Sequence, residues 1–154
     1  MRLSELLDED RVILSLQGET KDKAIEELLH LLVSSDDVED RRQFVNSVRQ
    51  REAIESTGIG NGIAIPHGIT DAVRRVVCAM GMSEPGIDFG SIDGKPVHLL
   101  FLLGVPKSEA REYLNLLSRI GRLFRKEELT RELMRMKSID KVLATLRERE
   151  KTLG

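Results

Sequence analysis

Two apolar runs, residues 73–82 and 97–105, restrict the fold of this chain more than any other feature. Both are rich in β-forming residues, and neither alternates apolar with polar positions as a strand with one wet face must. Strands of this kind are buried on both sides, so helices must lie above and below the sheet. The flanking segments supply them. Ile25, Leu28, Leu29 and Leu32 recur at helical spacing behind a Thr20 N-cap, which predicts a helix over 21–33. Phe44, Val45 and Val48 predict a second over 39–53, exposing Arg41, Arg42, Asn46 and Arg49 and delivering Arg51 and Glu52 at its end. After Gly104 and Pro106 the period is helical: Tyr113, Leu116, Leu117, Ile120 and Leu123 mark one helix. Residues 126–136 and 139–149 mark two shorter ones, the last capped by Ser138. A first strand is expected over 12–16, and turns at Glu84-Pro85-Gly86 and over 91–96. The expectation is a single α/β domain over residues 1–150, a mixed sheet between helical layers, ending in a tail that frays from Glu148, with 151–154 outside the domain.

A length of 154 residues suits one such domain. With 24 Lys and Arg against 26 Asp and Glu there is no global field to hold nucleic acid or an anionic membrane. Four Phe, one Tyr and no Trp leave too few rings for a platform that stacks bases or sugars. The single cysteine, Cys78, lies in an apolar stretch, cannot form an intrachain disulfide, and reads as a small buried hydrophobe in a reducing compartment. The acidic N-terminus lacks the apolar core of a signal peptide, and the run around Leu99 to Leu103 is too short to span a bilayer. A cytoplasmic protein with no membrane insertion and no nucleic-acid partner is expected.

Chemistry concentrates in the segment Ser56-Thr57-Gly58-Ile59-Gly60-Asn61-Gly62-Ile63-Ala64-Ile65-Pro66-His67-Gly68. Of the three histidines, His30 falls on the polar side of its helix, and His98 opens a buried strand where a hydrogen-bonded structural role suits it better than a site edge. His67 differs, because Pro66 fixes the chain direction before it and Gly68 removes a side chain after it. Gly58, Gly60 and Gly62 let backbone N–H groups approach an anion, Thr57 and Asn61 add donors, and Arg51 adds a charged fork suited to phosphate oxygens. Two readings stand side by side: a phosphate pocket with a nucleophilic imidazole at its lip, and a glycine-rich hairpin carrying a structural histidine. Neither a dinucleotide fingerprint nor a Walker loop is present, because the glycine spacing is wrong and no Gly-Lys-Ser/Thr follows. Nor do Ser56-Thr57-Gly58 form a nucleophile elbow. No His or Cys sits at ligand spacing from His67, and Asp71 alone is a thin second ligand, so neither metal nor cofactor is expected.

Arg51-Glu52-Ala53 followed by the segment 56–68 closely resembles the active-site stretch of IIA domains of the fructose/mannitol type in the bacterial phosphoenolpyruvate-dependent phosphotransferase system. The likeness extends along the chain through Asp88-Phe89-Gly90, the strand from Pro96 to Leu103 and the helix start at Tyr113. It implies a mixed sheet flanked by helices. It also implies that His67 matches the family's phosphorylated histidine, Arg51 its active-site arginine, and an HPr-like phosphocarrier protein the donor. One position departs. Many members carry a second active-site histidine where this chain has Tyr113, which can donate one hydrogen bond to a phosphoryl oxygen but stays neutral near pH 7; His98 is the alternative source of a second imidazole. The expected supporting set is therefore Arg51, Thr57, Gly60, Asn61, Tyr113 and His98. An outward Nε2 on His67 is expected, with Ile59, Ile63, Ile65, Ile69 and Val73 as an apolar collar for the partner. The form of the motif leans toward the family's nitrogen-regulatory branch. The recipient is then a IIB component or a regulatory target; the alternative is a sensing module, without efficient transfer, that binds an anion or small molecule.

Overall fold

The computed structural model describes residues 1–153. A six-stranded mixed sheet runs β1-β5-β6-β3-β2, with β4 also paired to β6. Its strands are β1 (Val12–Ile13), β2 (Gly58–Gly60), β3 (Ile63–Ala64), β4 (His67–Ile69), β5 (Val77–Ile87) and β6 (Val97–Val105). Five helices surround it: α1 (Lys21–Leu32), α2 (Arg41–Ile54), α3 (Ala110–Leu123), α4 (Glu128–Met134) and α5 (Ile139–Lys151).

The central antiparallel pair β5–β6 joins the two long apolar runs. Leu99, Phe101, Leu103 and Val105 point to one side, against α3, α4 and α5, while Leu100 and Leu102 point to the other, against α1 and α2. Every residue of β6 except His98 is buried, as a strand covered on both faces requires. Each such Leu or Phe contributes about 1.5–3 kcal/mol through the water-exposed surface it loses. Thr20, Asp40 and Ser138 each accept a hydrogen bond from the backbone three residues on, which starts α1, α2 and α5. Cys78 is fully buried, and its low-polarity surroundings push the thiol well above its ordinary range.

Three segments differ from the sequence expectation. The first strand covers only Val12–Ile13, because the chain bends at Leu14 and rejoins the sheet through a single bond from Leu16 N to Met82 O. Glu84-Pro85-Gly86 does not end the strand before it: β5 continues to Ile87 with a register shift after Met82 and with Gly86 at φ 84°. Proline is tolerated there because β1 pairs only as far as Gly81 and leaves that flank of β5 open. The tail also differs. α5 continues through Lys151, and Glu150 is completely buried, accepting the backbone N–H groups of Leu3 and Ser4 at 2.7 Å each. Residues 148–151 are thus held rather than frayed, and Gly154 lies outside the described residues. Among the described residues no helix is long and apolar enough to cross a membrane.

Candidate active site

β3 and β4 lie end to end along the same side of β6, Ile63 and Ala64 beside Leu99 and Leu100, and His67 beside Leu103. Pro66 lacks an N–H and interrupts the ladder between them, though its carbonyl still accepts from Leu103 N at 3.0 Å. His67 therefore sits where the sheet edge resumes. Gly68 then lets α2 come close: a Cβ at that position would meet Ser47 Oγ at 2.9 Å and Val48 Cγ2 at 3.1 Å. The space that glycine opens is thus for helix α2, not for the imidazole. One turn beyond Val48 the same helix carries Arg51, whose charge acts on the imidazole.

The ring is only 6% exposed. Its Nδ1 lies 2.9 Å from the Ile65 carbonyl, which only an N–H can satisfy, so Nδ1 carries the proton and the lone pair resides on Nε2. From α3, Tyr113 lays its ring against the imidazole, centroids 4.8 Å apart. Its hydroxyl is 2.9 Å from Nε2 and 3.5 Å from Nδ1. A hydroxyl on the in-plane axis of the Nε2 lone pair would lie much farther from Nδ1, so Tyr113 stands to the side of that axis. Burial raises the pKa of Tyr113, which keeps the hydroxyl protonated and able to donate. Of Tyr113 and His98, Tyr113 is the one that stands beside His67, as a neutral donor.

Burial is also the main reason that His67 titrates below the ordinary imidazole value of 6.5; its bond to Ile65 and the charge of Glu52 oppose the shift, and the Arg51 charge adds to it. The ring is accordingly neutral at pH 7. Because the folded value is depressed, the stability linked to this ring is complete above 6.5 and is lost as pH falls through the lowered folded value. Removing the Arg51 charge acts in the opposite sense. Arg51→Gln moves the His67 titration midpoint upward, a shift read directly from imidazole NMR signals across the acid range.

The remaining members of the expected set are elsewhere. Gly60, Asn61 and Gly62 all have positive φ and form the turn between β2 and β3. Asn61 Nδ2 donates to the carbonyls of Phe124 and Arg125, tying this turn to the end of α3. His98 lies beside the same turn at the start of β6, five residues from Leu103, and at about 3.3 Å per residue this is roughly 16 Å from His67. Its Nδ1 is engaged by the Ser83 carbonyl at 2.8 Å. Gly60, Asn61 and His98 are therefore structural neighbours of one another and not of His67, because the pairing register with β6 separates them. The hairpin reading holds for this part of the motif. Asn61→Ala costs about 2 kcal/mol, from two lost hydrogen bonds and a left-handed backbone alanine disfavours, as urea unfolding will measure.

Thr57 is buried and its donors are already taken: its N–H and hydroxyl both donate to the carboxylate of Glu52, the N–H at 2.8 Å. Arg51 Nη1 donates to the Glu55 carbonyl at 2.8 Å, which holds the guanidinium across the end of α2. Of the apolar collar, Ile59 and Ile69 are exposed, while Ile63, Ile65 and Val73 belong to the core. Ile54 and Leu114, at 81% and 62% exposure, add apolar surface outside the expected collar, each close in sequence to Arg51 or Tyr113. Glu52, which the end of α2 delivers beside Arg51, stands outside the expected supporting set but is buried against Thr57. Its legible sign was its place in the buried stripe Phe44, Val48, Glu52, where the period of α2 calls for an apolar residue.

Residues 5–149 match the family described as phosphoenolpyruvate-dependent sugar phosphotransferase system, EIIA 2. The chain is similar to the PTS system fructose-specific EIIABC component of Bacillus subtilis (strain 168), 32% identical over 151 residues, which cover 98% of this chain and 24% of that protein. It thus spans about a quarter of that relative's length. It is also similar to the fructose-specific EIIA component of Haloferax volcanii, 39% identical over 129 residues that cover 84% of each. Among solved structures, the nitrogen regulatory protein IIA-Ntr of Neisseria meningitidis matches with a TM-score of 0.85 at 31% identity, covering 94% of this chain and 98% of that one.

Proposed function

Because this chain belongs to the EIIA 2 family of the phosphoenolpyruvate-dependent sugar phosphotransferase system, we propose that it carries the phosphoryl group on Nε2 of His67. The observation behind this reading is the bond from Nδ1–H to the Ile65 carbonyl, which fixes a neutral tautomer with a bare Nε2 inside a buried site. The donor is an HPr-like phosphocarrier protein. As its P–N bond breaks, a new P–N bond forms at Nε2, and the departing imidazole keeps the electron pair. His67 need lose no proton at Nε2, since none is there. The proton stays on Nδ1, donated to the Ile65 carbonyl, and the positive charge of the phosphorylated ring is offset by the phosphoryl group it bears.

Transfer through a loose transition state asks the protein mainly for alignment and for donors to the equatorial oxygens. Tyr113 OH, beside the axis of attack, supplies one such donor, and the Arg51 guanidinium supplies positive charge at the end of α2. Ile54, Ile69 and Leu114 provide exposed apolar surface for brief docking of the donor and of the recipient, a IIB component or a regulatory target. The test is incubation with phosphoenolpyruvate, Enzyme I and HPr, followed by NMR of the product. An acid-labile adduct with phosphorus on Nε2 of His67 is the expected result; no adduct, or one at Nδ1, overturns the reading. Tyr113, a neutral partner beside the imidazole, favours a second reading: a sensing module that binds an anion at this site without passing it on. Absence of an adduct with several phosphocarrier proteins, together with saturable binding of inorganic phosphate, would select it.

A further inference from the structure

Glu52 is a carboxylate in an otherwise apolar stripe of α2, and it is fully engaged. Besides the two donors of Thr57, Lys21 Nζ lies 3.4 Å away, reaching across from the start of α1 and over the Phe89 ring. What Glu52 fixes is connected to the histidine. The Thr57 carbonyl accepts the Ile65 N–H at 3.0 Å, and the Ile65 carbonyl accepts His67 Nδ1–H at 2.9 Å. A continuous series of bonds thus leads from a buried negative charge to the back of the imidazole, passing through the backbone of two residues that flank the glycine hairpin. Each bond in it orients the next. The Ile65 carbonyl, which has only Pro66 after it, is aimed by the strand contact that Thr57 makes, and Thr57 is held at two points by one carboxylate.

We propose that Glu52 is a positioning residue for the His67 ring, acting through Thr57 and Ile65 to hold Nδ1 as donor and Nε2 as the free nitrogen. This rests on the reading of His67 as phosphoryl acceptor. A plain structural carboxylate would brace the loop but would leave the ring tautomer indifferent to its removal. Glutamine at position 52 retains volume but offers one oxygen for the two Thr57 donors and places an N–H₂ against the other. Aspartate retains the charge but withdraws it by one methylene.

The test uses the full chain, with nitrogen-labelled histidine, as wild type, Glu52→Gln, Glu52→Asp and Thr57→Val. In Glu52→Gln the Nδ1–H tautomer of His67 gives way to a mixture, and its titration midpoint falls because a nearby negative charge is gone. Uptake of phosphoryl from phosphorylated HPr slows about ten- to a hundredfold at saturating donor, the cost of a misaligned nucleophile, while half-saturation stays the same. Glu52→Asp retains the midpoint but shows the tautomer mixture and the slower uptake. Thr57→Val, which removes only one of the two donors, moves the tautomer the same way by less, and decides the matter if Glu52→Gln does not fold. Folded variants with an unchanged tautomer overturn the proposal, whatever their transfer rate. Wild-type protein that takes up no phosphoryl group overturns the function instead, and the tautomer measurement still judges Glu52.

Discussion

His67→Ala is expected to take up no phosphoryl group from phosphorylated HPr, labelling falling to background where the proposed function has the wild-type chain gain one acid-labile phosphoryl group. The size of this effect follows from the lack of any substitute nucleophile. His30 is exposed on α1, away from Arg51 and Tyr113. His98 belongs to the opposite end of β6 and is tied to Ser83. Cys78 is fully buried with its thiol held protonated. The Tyr113 hydroxyl stands beside the reacting position, but burial keeps its proton on, so it is a donor rather than an attacking oxyanion. The substitution also leaves the Ile65 carbonyl without its imidazole partner, which is tolerable at a strand edge that β6 still pairs on the other side. A far-ultraviolet spectrum and melting curve close to wild type accompany the loss. Residual labelling that survives in His67→Ala, or an adduct stable to acid, would place the phosphoryl group elsewhere and remove the basis for the proposed function.

The fold was legible because the two central strands carry no polar alternation, which forces helices onto both faces, and because Thr20 and Ser138 mark helix starts by their side-chain chemistry. His67 was legible for a local reason: proline before it and glycine after it both report on backbone geometry at that residue. The rest of the site depends on register. Nothing in the string Gly60-Asn61-Gly62 says that Ile63 after it pairs with Leu99 while His67 pairs with Leu103, yet that offset decides which donors can reach the imidazole. Proximity in sequence therefore misled for Gly60 and Asn61, and proximity on one strand misled for His98. Tyr113 meets His67 across the fold and only the likeness to a known active site pointed to it, whereas Arg51, whose charge acts on the imidazole, was legible also from its planar, permanently charged side chain. Thr57 shows a subtler failure. Its hydroxyl is a capable phosphate donor, but a buried carboxylate five residues earlier claims it first, and an unpaired Glu52 in the core would cost far more than a missing contact to a ligand.

The same arithmetic of buried carboxylates governs stability at the other end of the chain, where Glu150→Ala lowers the unfolding free energy by about 3–5 kcal/mol. Glu150 has no exposure, takes the N–H groups of Leu3 and Ser4 at 2.7 Å, and faces Arg119 Nε at 3.9 Å. Truncation leaves two backbone donors buried at positions that are themselves covered, and leaves a guanidinium whose Nη1 already lacks a partner. For a domain of this length each kcal/mol moves the melting midpoint by about 2–4 °C, so the midpoint falls by about 6–20 °C. Glu148→Ala is the matched control: that carboxylate is largely exposed and pairs only with Lys151, a contact that water and salt already weaken. Its midpoint stays within about 2 °C of wild type. Amide exchange separates the mechanisms further, since loss of the Glu150 clasp exposes the Leu3 and Ser4 amides before the sheet opens. Were α5 frayed at this point, as the charged sequence from Glu148 onward suggests, the two substitutions would melt alike. Equal midpoints for Glu148→Ala and Glu150→Ala therefore refute the clasp, and a gap of several degrees establishes that the last turn of α5 holds the first residues of the chain.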